Sequence, residues 1–129
     1  MKANQYYAGA CVVITGAGSG IGRLMALRIV EEGGRVAIWD INGEAARTTA
    51  DMANAQVGAD PADPKAIAFT VDVTDNAAVQ RAAADTIEAL GRVNVLINNA
   101  GVVSGAPFAD LPEQQIRRTF AVNVLSLFW

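Results

Sequence analysis

Gly16, Gly20 and Gly22 carry the first recognisable chemistry in this chain. They fall in Thr15-Gly16-Ala17-Gly18-Ser19-Gly20-Ile21-Gly22, between an apolar run and a helical pattern. A nucleotide pyrophosphate needs a turn of this kind. One glycine permits the tight bend, another lets backbone approach the phosphates, and a third lets helix and strand pack closely. The following helix N-terminus offers unpaired N–H groups and a partial positive charge. Ser19 adds a hydroxyl donor. The spacing is Gly-x-x-x-Gly-x-Gly rather than Gly-x-Gly-x-x-Gly, and no Gly-Lys-Ser/Thr follows, so the turn is not a Walker loop. Alone, it does not separate nicotinamide binding from S-adenosylmethionine binding. A packing turn that binds nothing is the plain alternative.

Two acids follow in the right places. Asp40 ends a second apolar run, RVAIWD, roughly twenty residues past the turn, where a carboxylate accepts hydrogen bonds from ribose hydroxyls. A carboxylate there repels a 2′-phosphate, so NAD is expected over NADP. No lysine or arginine stands at Ala17, Ser19 or just after Asp40 to hold that phosphate. Asp72 ends a third run and is placed to accept from an adenine amino group. The plain alternatives are a solvated acid for Asp40 and, for Asp72, an acid that favours a helix N-terminus.

The elements that must position these groups alternate. Cys11 to Ile14 is a buried strand ending at Thr15, and Gly20 to Glu32 is a helix with Ile21, Leu24, Met25 and Ile29 on one face. Gly33-Gly34 stops that helix. Arg35 to Asp40 is a strand, Glu44 to Gln56 an alanine-rich helix, and Val57 to Pro64 a loop. Ala66 to Val71 is a third strand. Asp75 to Leu90 is a third helix, with Thr74 as its N-cap and Gly91 as its stop. Val93 to Asn98 is a fourth strand. Asp110-Leu111-Pro112-Glu113 resembles a capping box opening a fourth helix that runs to Trp129. This alternation predicts an α/β fold, a Rossmann-type doubly wound parallel sheet with strand order 3-2-1-4. Strand 4 would then be an apolar edge, and the chain ends in uncapped Leu127-Phe128-Trp129. Both features lead to the expectation that residues 1–129 are the N-terminal portion of one domain, truncated after the fourth strand and helix.

Composition narrows the partners. The chain has 129 residues, 52% hydrophobic, with a net charge of −3 and no basic patch for nucleic acid. It has no histidine and a single cysteine, Cys11, so neither a zinc site nor an internal disulfide is expected. Residues 1–9 lack a signal-peptide layout, and no apolar stretch is long enough to span a membrane. A cytoplasmic protein is expected.

TGAGSGIG, WD after strand 2, DV after strand 3 and NNAG after strand 4, in that order, resemble the short-chain dehydrogenase/reductase superfamily. The resemblance covers nearly the whole chain. WDIN and the stretch from NNAGVVSGAPF to NVLSLFW are most similar to its retinol and hydroxysteroid dehydrogenase branch. It implies an oxidoreductase moving hydride between NAD(H) and an alcohol or ketone, usually a homo-oligomer. It implies that Gly16, Ser19, Gly20, Ile21 and Gly22 hold the pyrophosphate, Asp40 the adenosine ribose, and Ile41, Asp72 and Val73 the adenine. Asn99, Ala100 and Gly101 would line the ribose and nicotinamide side, with Asn98 partly a brace for the sheet. Asn123 would match a helix asparagine that positions the family's catalytic lysine through water; without the family pattern it reads as an ordinary helix-interior asparagine.

The same resemblance calls for a tyrosine that exchanges a proton with the substrate oxygen, a lysine four residues later, and a serine. Here the only tyrosines are Tyr6 and Tyr7, followed at that spacing by Ala10 and Cys11, and the only lysines are Lys2 and Lys65. No Tyr-x-x-x-Lys exists, and neither Ser104 nor Ser126 is the family serine on this reading. The chain is therefore expected to bind cofactor and to be inactive alone. Two alternatives stay open: a non-catalytic NAD-binding form, and a methyltransferase. The second would want an acid just before the first glycine, where Thr15 stands, and gives NNAG no role.

Overall fold

The computed structural model describes residues 6–129; Lys2 and most of the 1–9 segment read above for a leader lie outside the described residues. The strands are β1 (Cys11–Thr15), β2 (Arg35–Asp40), β3 (Ala66–Thr70) and β4 (Val95–Ile97), and the helices are α1 (Gly20–Glu31), α2 (Gly43–Val57), α3 (Asn76–Leu90) and α4 (Glu113–Asn123). The sheet is parallel throughout, ordered β3-β2-β1-β4 as the alternation requires.

Because side chains alternate along a strand, β1 and β2 feed two cores. Val12, Ile14, Val36 and Ile38 pack on one face with Ala26, Ile29 and Val30 of α1 and Ala46, Ala50 and Ala53 of α2. Cys11, Val13, Ala37 and Trp39 pack on the other with Ala82 and Leu90 of α3. The alanines recur on one side of α2 and let it lie close against the sheet. On the second face the buried Trp39 Nε1 donates to Thr86 Oγ1 at 3.0 Å. Thr86→Val should therefore orphan a buried indole N–H and cost about 1–3 kcal/mol, read as a lower urea midpoint with unchanged slope.

Several boundaries differ from the sequence reading. Of the four residues expected on one face of α1, Ile29 is buried and Met25 packs against the core, whereas Ile21 and Leu24 are exposed; Gly22, Ala26 and Val30 complete the buried face. Asp75, not Thr74, caps α3, accepting from the Ala78 N–H at 3.1 Å. Thr74 is held instead by Asp72, which accepts from its N–H and hydroxyl. No capping box forms at Asp110: α4 starts after Pro112 without a side-chain cap. It ends at Asn123, since Val124 leaves helical geometry, and a tight turn covers Leu125–Phe128. β4 is shorter than predicted because it pairs only with β1, leaving Leu96 56% exposed. No helix among the described residues is long and apolar enough to cross a membrane.

Candidate functional site

Where β1 meets α1, the three glycines have distinct reasons to be glycine. Gly16 has φ +66, and a Cβ there would stand 2.9 Å from the Ala100 Cα. Gly22 lies under the turn, where a Cβ would meet Gly16 O and Asn99 Nδ2, each at 2.6 Å. Gly20 has φ +54, yet a Cβ there would meet nothing within 4 Å. The space in front of Gly20 is open, so its glycine serves conformation and leaves room for a group to approach the backbone. Ser19 occupies the N-cap position of α1 without a side-chain capping bond, leaving its hydroxyl for a ligand. The first N–H groups of α1 have no partner within the helix. This combination fits a pyrophosphate.

Gly18 is clamped from both sides. Its N–H donates to Asp40 Oδ2 at 2.8 Å. Its carbonyl accepts from Arg23 Nη2 and from Thr49 Oγ1, the latter at 3.2 Å. Arg23 Nε donates to Thr49 Oγ1 at 2.9 Å, closing the set. The other Asp40 oxygen accepts from the Asn42 N–H at 2.9 Å. Asp40 thus joins the glycine turn to the start of α2 while each oxygen retains lone-pair capacity for a hydroxyl donor. No local pattern marks Arg23 or Thr49; only the crossing of α1 over α2 brings them to Gly18.

The NNAG segment ties β4 to this turn. Asn99 Nδ2 donates to Thr15 O at 3.0 Å and Gly16 O at 3.1 Å. Thr15 Oγ1 accepts from the Asn99 and Ala100 N–H groups at 3.1 and 3.0 Å. Asn99 is therefore a brace through its side chain, a role the sequence reading gave in part to Asn98. Asn123 reaches back from α4 to the same segment. Its Oδ1 accepts from the Val102 N–H and its Nδ2 donates to Val102 O, both at 2.8 Å.

These pieces enclose a cleft of about 680 Å³ at the C-terminal ends of the strands, within the roughly 300–1,000 Å³ of small-molecule sites. Of the residues expected there, Gly16, Ser19, Ile21, Asp40, Ile41, Asp72, Val73, Asn99, Ala100 and Gly101 line it. Gly20 and Gly22 are not among its lining residues, and Asn123 lies on a neighbouring apolar groove beside Ser104, Phe108 and Phe120. Ile21 and Ile41, 71% and 63% exposed, offer apolar surface to a ligand. Asp72 accepts both Thr74 bonds on Oδ1, which leaves Oδ2 for an amino group. Asp63, whose carboxyl the hydrogen bond and charge of Lys65 hold below the usual range, is away from this wall. Arg118 and Val122 of α4 also line the cleft; neither stood out in the sequence, because α4 carries no motif that fixes which turn faces the sheet.

Residues 10–129 match the family model described as short chain dehydrogenase. Short-chain dehydrogenase/reductase family 16C member 6 of Bos taurus is 38% identical over 99% of this chain and 39% of its own length. Epidermal retinol dehydrogenase 2 of Homo sapiens is 39% identical over 99% of this chain and 40% of its own. Among solved structures, a 7 alpha-hydroxysteroid dehydrogenase complexed with NADH and 7-oxo glycochenodeoxycholic acid superimposes with a TM-score of 0.85. It shares 37% identity, and the match covers 97% of this chain and 46% of that one. The chain spans about 40% of the length of the curated relatives it matches.

Proposed function

Because this chain belongs to the short-chain dehydrogenase family, we propose that it forms the NAD(H)-binding half of an oxidoreductase acting on an alcohol or ketone. The observation that carries the cofactor choice is Asp40. Its carboxylate lies on the cleft wall and is fixed by two backbone N–H groups. So held, it accepts ribose hydroxyls and opposes a 2′-phosphate, which favours NAD over NADP. Gly16, Ser19, Gly20, Ile21 and Gly22 supply the pyrophosphate cradle. Ile41, Asp72 and Val73 receive the adenine. Asn99, Ala100 and Gly101 form the ribose and nicotinamide side, and Asn123 keeps the following segment in place by holding Val102. When bound, the cofactor supplies the hydride acceptor or donor; this chain binds and orients it.

The chain contains no Tyr-x-x-x-Lys, so proton exchange with a substrate oxygen needs groups these residues do not provide. That observation favours a second reading, NAD binding without turnover by the 129 residues themselves. Family membership leaves the methyltransferase alternative without support. A cytoplasmic setting and homo-oligomeric assembly of the protein carrying this domain complete the reading.

Titration of the chain with NADH, NADPH and S-adenosylmethionine tests it. NADH should bind at least about tenfold more tightly than NADPH, a difference of roughly 1.4 kcal/mol, and S-adenosylmethionine should not compete. Equal binding of the two dinucleotides would remove the role given to Asp40. Turnover of alcohols by the chain alone would overturn the claim that it only binds.

A further inference from the structure

We propose that Arg118 is a cofactor-binding residue, the cation that balances an otherwise acidic cleft for a ligand carrying phosphate charge. The inference rests on the reading of the cleft as a dinucleotide site. The ionisable side chains on the cleft wall are Asp40, Asp72 and Arg118. Asp40 and Asp72 leave the wall net negative toward any phosphate-bearing ligand, and the charge of Arg118 offsets half of theirs. Arg118 is free for the task. Its neighbour Arg117 is committed to Glu113, with Nη2 and Nε both 2.7 Å from Oε1. Arg118 makes no ion pair or side-chain hydrogen bond with any described residue, although it is exposed on the same helix. A long, unpaired arginine on the wall of a cleft gains a partner from a phosphate-bearing occupant.

Because the cleft is open to water, the attraction is screened and its effect moderate. Arg118 arrives from α4, far along the chain from the glycine turn and from Asp40.

The test compares wild type with Arg118→Gln and Arg118→Glu, using NADH and adenosine as probes at low and high salt. The expected result is a loss of NADH affinity of about threefold for the neutral variant and about tenfold for the reversed charge, shrinking as salt rises. Adenosine, which carries no phosphate, should bind all three proteins alike. Thermal midpoints should match, since the side chain holds nothing in the fold. If Arg118→Glu binds NADH like wild type, or if adenosine weakens in parallel, the inference fails and the dinucleotide reading stands. Wild type that binds adenosine but not NADH would take down both.

Discussion

Gly22→Ala should abolish NADH binding and destabilise the chain by about 3 kcal/mol, at the upper end of overpacking costs. The added methyl would stand 2.6 Å from Gly16 O and 2.8 Å from Ala17 Cα, both backbone atoms of the cofactor turn, and 2.6 Å from Asn99 Nδ2. Two of these are backbone atoms, and the third, Asn99 Nδ2, is held by two hydrogen bonds. Relief requires α1 to move off the turn, or Asn99 to release Thr15 O and Gly16 O, the bonds that tie β4 to β1. Either movement deforms the pyrophosphate cradle. Urea unfolding and NADH titration of the variant check both consequences. A variant of wild-type stability would show that the turn adapts freely. Alanine at the open Gly20 is a useful contrast. It meets no atom within 4 Å and suffers only from φ +54, so its stability cost should be smaller, about 1 kcal/mol.

Substitution of Asp40 should act on affinity, selectivity and the turn together. Asn offers one acceptor oxygen where Asp offers two. Gly18 N–H and Asn42 N–H each need one, so Asp40→Asn sets its amide N–H against a backbone donor. A loss of about tenfold or more in NADH affinity is expected, with a lower thermal midpoint. Asp40→Ala combined with Ile41→Arg removes the repulsion and adds a cation at the cleft edge. That pair should reverse the preference toward NADPH, read as the ratio of the two dissociation constants. An unchanged ratio would mean that Asp40 does not face the ribose.

The strand order and the cleft's main residues were legible in the sequence because local signals agreed. β1 and β2 are apolar runs closed by glycine or acid, and the turn residues sit at strand ends where a doubly wound sheet gathers ligands. What escaped depends on contacts between distant segments. The Gly18 clamp needs α1 and α2 to cross at Arg23 and Thr49. The buried face of α1 joins Ile29 and Val30 to Gly22 and Ala26, whose small size lets the helix approach the sheet; hydrophobicity found Ile29 but also pointed to Ile21 and Leu24, which are exposed. Thr74 and Asp75 are both good caps, and the choice fell to Asp75 because Asp72 engages Thr74 first. α4, which buries no residue, gave periodicity no fixed face to report, so its early end and the placement of Arg118 were hidden.

Binding of a nicotinamide dinucleotide in the cleft above β1 can be read residue by residue from amide chemical-shift mapping with NADH. Saturable shifts are expected at Gly18, Ser19, Gly20 and Ile21, at Asp40 and Ile41, and at Val73 and Ala100, with α3 unmoved at its far end near Leu90. Absence of saturable shifts, or shifts confined to the groove around Phe108 and Phe120, would contradict it.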